Sequence, residues 1–279
     1  MRYIKLVAVS WFVYLVYSCG SKTSDTPTPP GGGGTTTDTT SNLRVMTYNI
    51  HHANPPAGSA IDINGTANII KAQNPHLVAI QEVDVYNSRS GTTLHEAAEI
   101  ARITGMYYYF AKTIDYAGGA YGIAILSKFP ISSTSNNPLP FAAGTGAEAR
   151  TLAKAVINMD NGKKLVFACT HLDATTPDTS RFLQINKILD ILKLETLPVI
   201  IAGDFNAVTG SRIINTLDSY FTRSCITSCG FTIPATAANK TIDFIAYAPS
   251  DKFTVIDHKV IDEKFASDHL PVVAVLRIK

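Results

Sequence analysis

A surplus of charge of either sign is what this 279-residue sequence most clearly lacks. It has 24 lysines and arginines against 22 aspartates and glutamates, and only 16% of its residues are charged. A dedicated nucleic-acid-binding protein usually carries a basic surplus, because its partner is a polyanion. The charge balance therefore gives no support for a polynucleotide partner, although it does not exclude one.

Cysteine is also scarce, with four residues in the chain. Cys169 follows an apolar run and is predicted to be an inert thiol of the core. Cys225 and Cys229 lie close together in a polar loop, which favours a disulfide in an oxidising compartment. A zinc pair is the alternative, but the absence of a nearby histidine or second cysteine pair argues against it.

The apolar run near the N-terminus is too short for an ordinary transmembrane helix. Arg2 and Lys5 precede this run, residues 6–17, which then meets small residues around Cys19. That order predicts a signal peptide over residues 1–18. Val16-Tyr17-Ser18-Cys19 resembles a bacterial lipobox, in which the cysteine is lipidated. We therefore expect an exported lipoprotein, held at the cell envelope by its lipid alone, with simple secretion as the alternative.

The residues after Cys19 differ sharply in composition from the rest. Residues 23–41 consist of threonine, serine, proline, glycine and aspartate, without a large apolar side chain. Such a segment is typical of a flexible tether, here residues 19–41. Residues 42–279 are long enough, and apolar enough, for one domain with a substantial core.

Within that domain, strand-like and helix-like segments alternate without a second linker. Periodicity predicts helices over residues 61–73, 94–104 and 180–194. Apolar runs predict strands over residues 43–48, 76–81, 107–110, 122–127, 152–158, 163–169, 199–202, 242–246, 253–261 and 270–278. Asp160-Asn161-Gly162 is typical of a hairpin turn. Many strands with few crossover helices indicate mixed sheets covered by helices.

Polar residues cluster at the ends of these apolar runs. Four of the clusters combine a carboxylate with an amide or an imidazole, and the first in the chain combines an amide with two imidazoles: Asn49-Ile50-His51-His52, Gln81-Glu82-Val83-Asp84, Thr170-His171-Leu172-Asp173, Gly203-Asp204-Phe205-Asn206 and Ser267-Asp268-His269. The ends of strands are where α/β sheets gather catalytic groups. Acids with asparagine and histidine suit a hard divalent cation and a phosphate ester. The pattern predicts a metal-dependent phosphoesterase.

The order of these clusters along the chain resembles that in the endonuclease/exonuclease/phosphatase superfamily. Two further segments belong to the same pattern, Gly122-Ile123-Ala124-Ile125-Leu126-Ser127 and Ile242-Asp243-Phe244. The likeness covers residues 43–279 and is closest to the compact bacterial metal-dependent hydrolases of that superfamily. It implies an α/β fold, a four-layer α/β/β/α sandwich with two facing mixed sheets. It also implies a site at one edge of those sheets.

The resemblance assigns roles to individual residues. Glu82, Asn49 and Asp268 would hold Mg²⁺ or Mn²⁺. Asp204 would activate the attacking water with Asn206, and Asp243 would orient His269. His269 and His171 would contact the phosphoryl oxygens, or His171 would donate to the leaving group. Apart from the resemblance, Arg150 precedes a strand and is suited to stabilise the phosphoryl oxygens. Looser candidates for substrate contacts are Tyr121, His51, His52 and Arg89.

Simpler explanations remain open for several of these residues. Glu82 could be a surface acid at a strand end, with Asn49 a turn residue. Arg150 could form a surface salt bridge with Glu148. A histidine can also be a hydrogen-bonded structural residue.

Asp204 and Asn206 are expected to face the same way by strand alternation.

Fold does not specify substrate. The segments predicted to surround the site are short and nearly neutral, which favours a small phosphodiester or phosphomonoester as the substrate. We expect a monomer that hydrolyses this substrate by direct attack of water. A secreted, deoxyribonuclease-like endonuclease is the alternative enzyme. A surface lipoprotein that uses the fold as a binding module is the alternative of another class, and the complete set of acids and histidines argues against it.

Overall fold

Strands and helices account for most of residues 42–279, the part of the chain that this computed structural model describes, apart from 57 and 59. The predicted signal peptide and tether, with Cys19, lie outside the described residues. In chain order the strands are β1 (Asn42–Asn49), β2 (Leu77–Val85), β3 (Tyr107–Tyr116), β4 (Gly119–Ser127), β5 (Ile131–Leu139), β6 (Arg150–Asn158), β7 (Lys164–His171), β8 (Val199–Asp204), β9 (Thr222–Arg223), β10 (Asp243–Ala248), β11 (Phe253–Val260) and β12 (Val272–Ile278). The α-helices are α1 (Ile63–Gln73), α2 (Glu96–Thr104), α3 (Thr179–Leu192) and α4 (Arg212–Asp218).

The strands form two six-stranded sheets with the same pattern of parallel and antiparallel pairs, ordered β11-β12-β1-β2-β4-β3 and β5-β6-β7-β8-β10-β9. Each sheet has one parallel pair, β1 with β2 and β7 with β8, and its other pairs are antiparallel. The carboxyl ends of each parallel pair are in register, with Asn49 opposite Gln81 and His171 opposite Asp204.

Three apolar clusters define the layers. The largest contains inward-facing residues of both sheets, such as Val45, Ile125, Phe167 and Leu276. A second lies beneath α3 and α4, and a third beneath α1 and α2. Helices therefore cover the outer face of each sheet, and the predicted four-layer α/β/β/α sandwich is confirmed.

Three elements were not predicted from the sequence: strands β5 and β9 and helix α4. Strand β5 has the sequence ISSTSNNPL and occupies a sheet edge, where most of its side chains reach solvent. An edge strand with little buried surface has no apolar alternation to reveal it. Helix α4 is too short for a clear period, although Ser211 caps it by accepting a hydrogen bond from the Ile214 N–H.

Close approach of β7 and β8 requires glycine at position 203. A Cβ atom there would collide with the carbonyl oxygen of Thr170 on β7. The glycine lets the two strands pair up to their ends, and this pairing places Asp204 beside His171.

Two further features of the described domain concern its cysteines and its helices. Cys225 and Cys229 form a disulfide with their Cα atoms 5.5 Å apart, and Cys169 is a buried free thiol. In the described part of the chain, no helix is both long and apolar enough to cross a membrane.

Candidate active site

Strand direction brings the polar clusters of the sequence to one edge of the sandwich. Strands β1, β2, β7 and β8 run toward this edge. Strand β10 begins there, since Asp243 pairs with Asp204, and β12 begins there because it is antiparallel to β1. The residues brought together include Asn49, Glu82, His171, Asp204, Asp243 and His269.

A β-bulge aims Glu82 into this edge. The pairing of β2 with β4 shifts between Ile80 and Val83, and Glu82 adopts a left-handed backbone with φ of 60°. A bulge of this kind redirects a side chain that strand alternation would otherwise fix. Glu82 is therefore not the strand-end acid of the sequence analysis, since β2 continues to Val85.

Glu82 is held ionised by its neighbours. Its Oε1 accepts a hydrogen bond from Asn49 Nδ2 at 3.0 Å, and its Oε2 lies 3.9 Å from Nδ1 of His52. Burial acts to raise the pKa of Glu82, but His52, His171 and Asn49 favour the carboxylate and together lower that pKa. The edge of the site therefore carries a fixed negative charge.

Asp204 lies at the centre of the cluster and is 1% exposed. Its Oδ2 accepts from Asn49 Nδ2 at 3.2 Å and lies 3.5 Å from His171 Nε2 and 3.7 Å from His269 Nε2. Burial, followed by the charge of Asp243, raises the pKa of Asp204 to about 7. A carboxylate with that pKa can take up a proton near neutral pH.

His269 pairs with Asp243, as the resemblance implied. Its Nδ1 lies 3.0 Å from Asp243 Oδ2, and both side chains are almost fully buried. Burial acts to lower the pKa of His269, but the charge and hydrogen bond of Asp243, with Asp204 and Asp268, raise it to about 10. His269 is therefore an imidazolium at neutral pH, with Nε2 directed toward Asp204.

His171, unlike His269, is a neutral imidazole. Arg150 Nη1 lies 3.2 Å from His171 Nδ1, and a guanidinium can only donate, so Nδ1 accepts and Nε2 carries the hydrogen. Burial and the charge of Arg150 hold the pKa of His171 well below its usual range. His171 is thus a neutral donor facing the Asp204 carboxylate.

Arg150 forms the salt bridge with Glu148 that the simpler explanation expected, but it is itself buried and also contacts His171. It is 9% exposed, and Nη1 lies 3.3 Å from Glu148 Oε1 as well as near His171. Its Nε is buried and has no hydrogen-bond partner among the described residues. A buried guanidinium with an unused donor is well suited to an anion. Tyr121 is buried next to it, with its pKa raised mainly by that burial.

The two asparagines differ from their expected orientations. Asn49 turns its amide nitrogen toward Glu82 and Asp204, while its Oδ1 accepts from the His51 N–H at 3.1 Å. Asn206 lies beyond β8 with φ of 47°, so strand alternation does not set its direction. Its Nδ2 donates to the Leu172 carbonyl, and its N–H donates to Asp204 Oδ1 at 2.8 Å. Asn206 therefore braces the Asp204 carboxylate.

Ser267 is a positioning residue that the sequence analysis did not single out. Its hydroxyl donates to the carbonyl of Asn49 at 2.7 Å and accepts from the His269 N–H at 3.1 Å. It thus ties the end of β1 to the loop that carries Asp268 and His269. Asp268 is partly buried, with Oδ1 3.4 Å from the Ser267 hydroxyl. The only sequence signal for Ser267 is its place before Asp268-His269.

Arg89 is engaged away from the central acids. It donates from Nε and Nη2 to buried Asp84, both at 2.8 Å, and its guanidinium lies over the rings of Tyr116 and Tyr121. A substrate contact by Arg89 stays a prediction. His51 and His52 do reach the site and, with Ala53, form a short left-handed turn.

Two groups of side chains in the described chain have geometry suited to a metal ion. They are His51 with His52 and Glu82, and Asp204 with Asp243 and His269. Within each group, the ligand atoms lie within 4.8 Å of one another.

Two facing mixed sheets with an edge of acids, amides and histidines form the architecture of a phosphoester hydrolase. The chain belongs to the endonuclease/exonuclease/phosphatase family, whose model matches residues 46–269. Members of this family hydrolyse phosphoester bonds and generally use divalent metals. The resemblance drawn from the sequence is confirmed.

Solved structures share the fold at low sequence identity. A family protein from Beutenbergia cavernae DSM 12333 aligns with a TM-score of 0.72 at 22% identity, over 85% of this chain and 72% of that one. A family protein from Bacteroides thetaiotaomicron aligns with a TM-score of 0.71 at 18% identity, over 85% of this chain and 98% of that one. The mannosyl-6-phosphatase of B. thetaiotaomicron VPI-5482 gives 0.68 at 20%, over 84% and 99%. No curated protein sequence matches this chain.

Proposed function

We propose that this protein hydrolyses a small phosphate ester by direct attack of water, with Mg²⁺ or Mn²⁺ bound at Glu82. The observation that carries the proposal is the convergence of a neutral histidine, a protonated histidine and an asparagine amide on the Asp204 carboxylate. A buried acid with a pKa of about 7 is poised to take a proton from water at neutral pH.

The residues present suit a hard divalent cation. Glu82 is an ionised carboxylate with a partly exposed side chain, and Asp268 offers a second carboxylate on the adjoining loop. Asn49 would supply an oxygen only if its amide turned about the Cβ–Cγ bond. When bound, the ion would polarise a phosphoryl oxygen and stabilise the leaving oxygen.

The remaining side chains have separate tasks. Asp204, braced by Asn206, would orient the water and accept its proton. The His269 imidazolium, held by Asp243, would stabilise negative charge on the phosphoryl group. His171 would donate through Nε2, and Arg150 would offer its unused Nε donor to a phosphoryl oxygen.

A neighbouring cavity supports a small substrate. It has a volume of about 420 Å³ and adjoins Asn206, with Arg181 and Lys240 among its polar walls and Ile233 and Ile242 among its apolar ones. Such a mixed lining suits the organic part of a small phosphate ester. The solved mannosyl-6-phosphatase is consistent with that class of substrate. The near-neutral charge balance weighs against the alternative of a secreted endonuclease.

The function is tested by a substrate panel with purified residues 42–279. We expect hydrolysis of p-nitrophenyl phosphate or bis-p-nitrophenyl phosphate with Mg²⁺ or Mn²⁺, complete loss with EDTA, and recovery when metal returns. Glu82→Gln should raise the metal concentration needed and lower the rate, because it removes a charged ligand. Plasmid nicking that exceeds ester hydrolysis would favour the endonuclease. Activity that survives exhaustive chelation would overturn the metal proposal, and an inactive but folded protein would favour a binding module.

We also propose that the enzyme acts at the cell envelope, on the evidence of the lipobox-like sequence at Cys19. The full chain produced in a bacterial host should partition into detergent and incorporate labelled palmitate. Cys19→Ser should abolish the label and release the protein from membranes, while Cys169→Ser, which alters the buried thiol, should leave both unchanged. Unaltered membrane association of Cys19→Ser would contradict the lipid anchor.

A further inference from the structure

His51 and His52 approach Glu82 on the side opposite to Asn49. Asn49 occupies Oε1 of Glu82, whereas His52 Nδ1 lies 3.9 Å from Oε2, beyond hydrogen-bond distance. The ligand atoms of His51, His52 and Glu82 all lie within 4.8 Å of one another. Ligands of one tetrahedral Zn²⁺ ion, at bond lengths of about 2.0–2.2 Å, lie roughly 3.3–3.6 Å apart. The three atoms would have to approach one another by up to about 1.5 Å to bind one ion together.

The two imidazoles differ in the hydrogen bonds that their ring nitrogens make. His52 is 7% exposed, and its buried Nδ1 has no hydrogen-bond partner among the described residues. His51 Nδ1 lies 2.8 Å from the carbonyl oxygen of Asn54, so Nδ1 donates and the neutral ring keeps a lone pair on Nε2. Histidine ligands of metals usually donate their other ring N–H to a carbonyl or carboxylate in this way.

The backbone holds this arrangement at some cost. His51, His52 and Ala53 have φ of 48°, 45° and 50°, a left-handed turn that residues with side chains rarely adopt. Strain of this kind concentrates at sites where the surrounding structure fixes a functional geometry. Here the turn brings two adjacent imidazoles to the same carboxylate, with ring centroids 4.4 Å apart.

We propose that His51, His52 and Glu82 form a metal site with nitrogen ligands, which binds a first-row transition ion such as Zn²⁺ or Co²⁺ more tightly than Mg²⁺. The proposal rests on the proposed function for the role of Glu82, and it changes the ion expected there from Mg²⁺ to a transition ion with nitrogen ligands. Imidazole nitrogen suits Zn²⁺ and its neighbours, whereas Mg²⁺ requires oxygen ligands and retains most of its water.

The test measures binding of the metal alone. Metal-free residues 42–279 are titrated calorimetrically with ZnCl₂, CoCl₂ and MgCl₂, and the Co²⁺ complex is followed by its visible absorption. We expect a 1:1 site that binds Zn²⁺ and Co²⁺ more than about tenfold tighter than Mg²⁺. His51→Asn and His52→Asn should each weaken Co²⁺ binding more than about tenfold and change its spectrum. Asparagine is chosen because it tolerates the left-handed turn.

The control is His258→Asn, which alters a histidine on strand β11 bonded to Ser224 and should leave Co²⁺ binding unchanged. Unaltered Co²⁺ affinity and spectrum in the His51 and His52 variants, or displacement of Co²⁺ by equimolar Mg²⁺, would overturn the site. Co²⁺ binding that depends on these histidines in a protein without esterase activity would refute only the proposed function. Ester hydrolysis with Mg²⁺ but no histidine-dependent binding would refute only this site.

Discussion

His269→Ala is expected to lower kcat/KM for phosphate-ester hydrolysis by about 10²–10⁴-fold, the usual loss on removing one acid–base group. The structure gives the reason, since this imidazole is buried, pairs with Asp243 and faces the central Asp204. Asp243→Asn should be milder, because the asparagine can still accept from His269 Nδ1 but no longer carries the charge that raises its pKa.

The double variant of Asp243 and His269 tests whether the two residues perform one task together or two separate tasks. Groups that act as one unit are not additive, so Asp243→Asn on top of His269→Ala should cost little more than His269→Ala alone. Steady-state kinetics on all four proteins, with thermal melting to verify folding, provide the comparison. If the two losses multiply, Asp243 does not act through His269, and its assignment as a positioning residue is wrong.

Asp204→Asn should cause a loss of at least about 10²-fold, because it removes the acceptor for the proton of the attacking water. The pH profile makes this prediction specific. Burial and Asp243 raise the pKa of Asp204 to about 7, so below that pH the carboxyl is protonated and cannot act as a base. The kcat/KM of the wild type should therefore rise as the pH increases through about 7.

In Asp204→Asn the remaining activity should lose that dependence on pH. Asp257→Asn makes the same chemical change on the exposed face of β11 and should leave both rate and profile unaltered. A wild-type profile that is flat between pH 5 and 9, roughly the range over which such a group titrates, would show that Asp204 is not the base.

The acids and histidines of the site were predictable because each lies beside a strand that its own apolar residues reveal. Glu82, His171, Asp204 and Asp243 all adjoin or end runs of buried residues. Such runs are local patterns, and so were the helix periods and the hairpin turn. The four-layer architecture came from the order of the motifs and their resemblance to a family, since composition and periodicity alone indicated only mixed sheets with helices.

The arrangement of the site could not be read in the same way, because its contacts join distant parts of the chain. Asn49 meets Asp204 across 155 positions and His269 across 220. The bulge that aims Glu82 lies in the pairing of β2 with β4, and the polar strand β5 pairs with β6 at the edge of its sheet.

The sequence by itself determined which residues could do the chemistry, through local hydrophobic pattern and side-chain type. Tertiary structure alone decided their protonation and direction, because both depend on burial and on long-range neighbours. His171 is neutral beside Arg150, whereas His269 is charged beside Asp243. Two side chains of the same type thus acquire different roles, because folding places different charges around them.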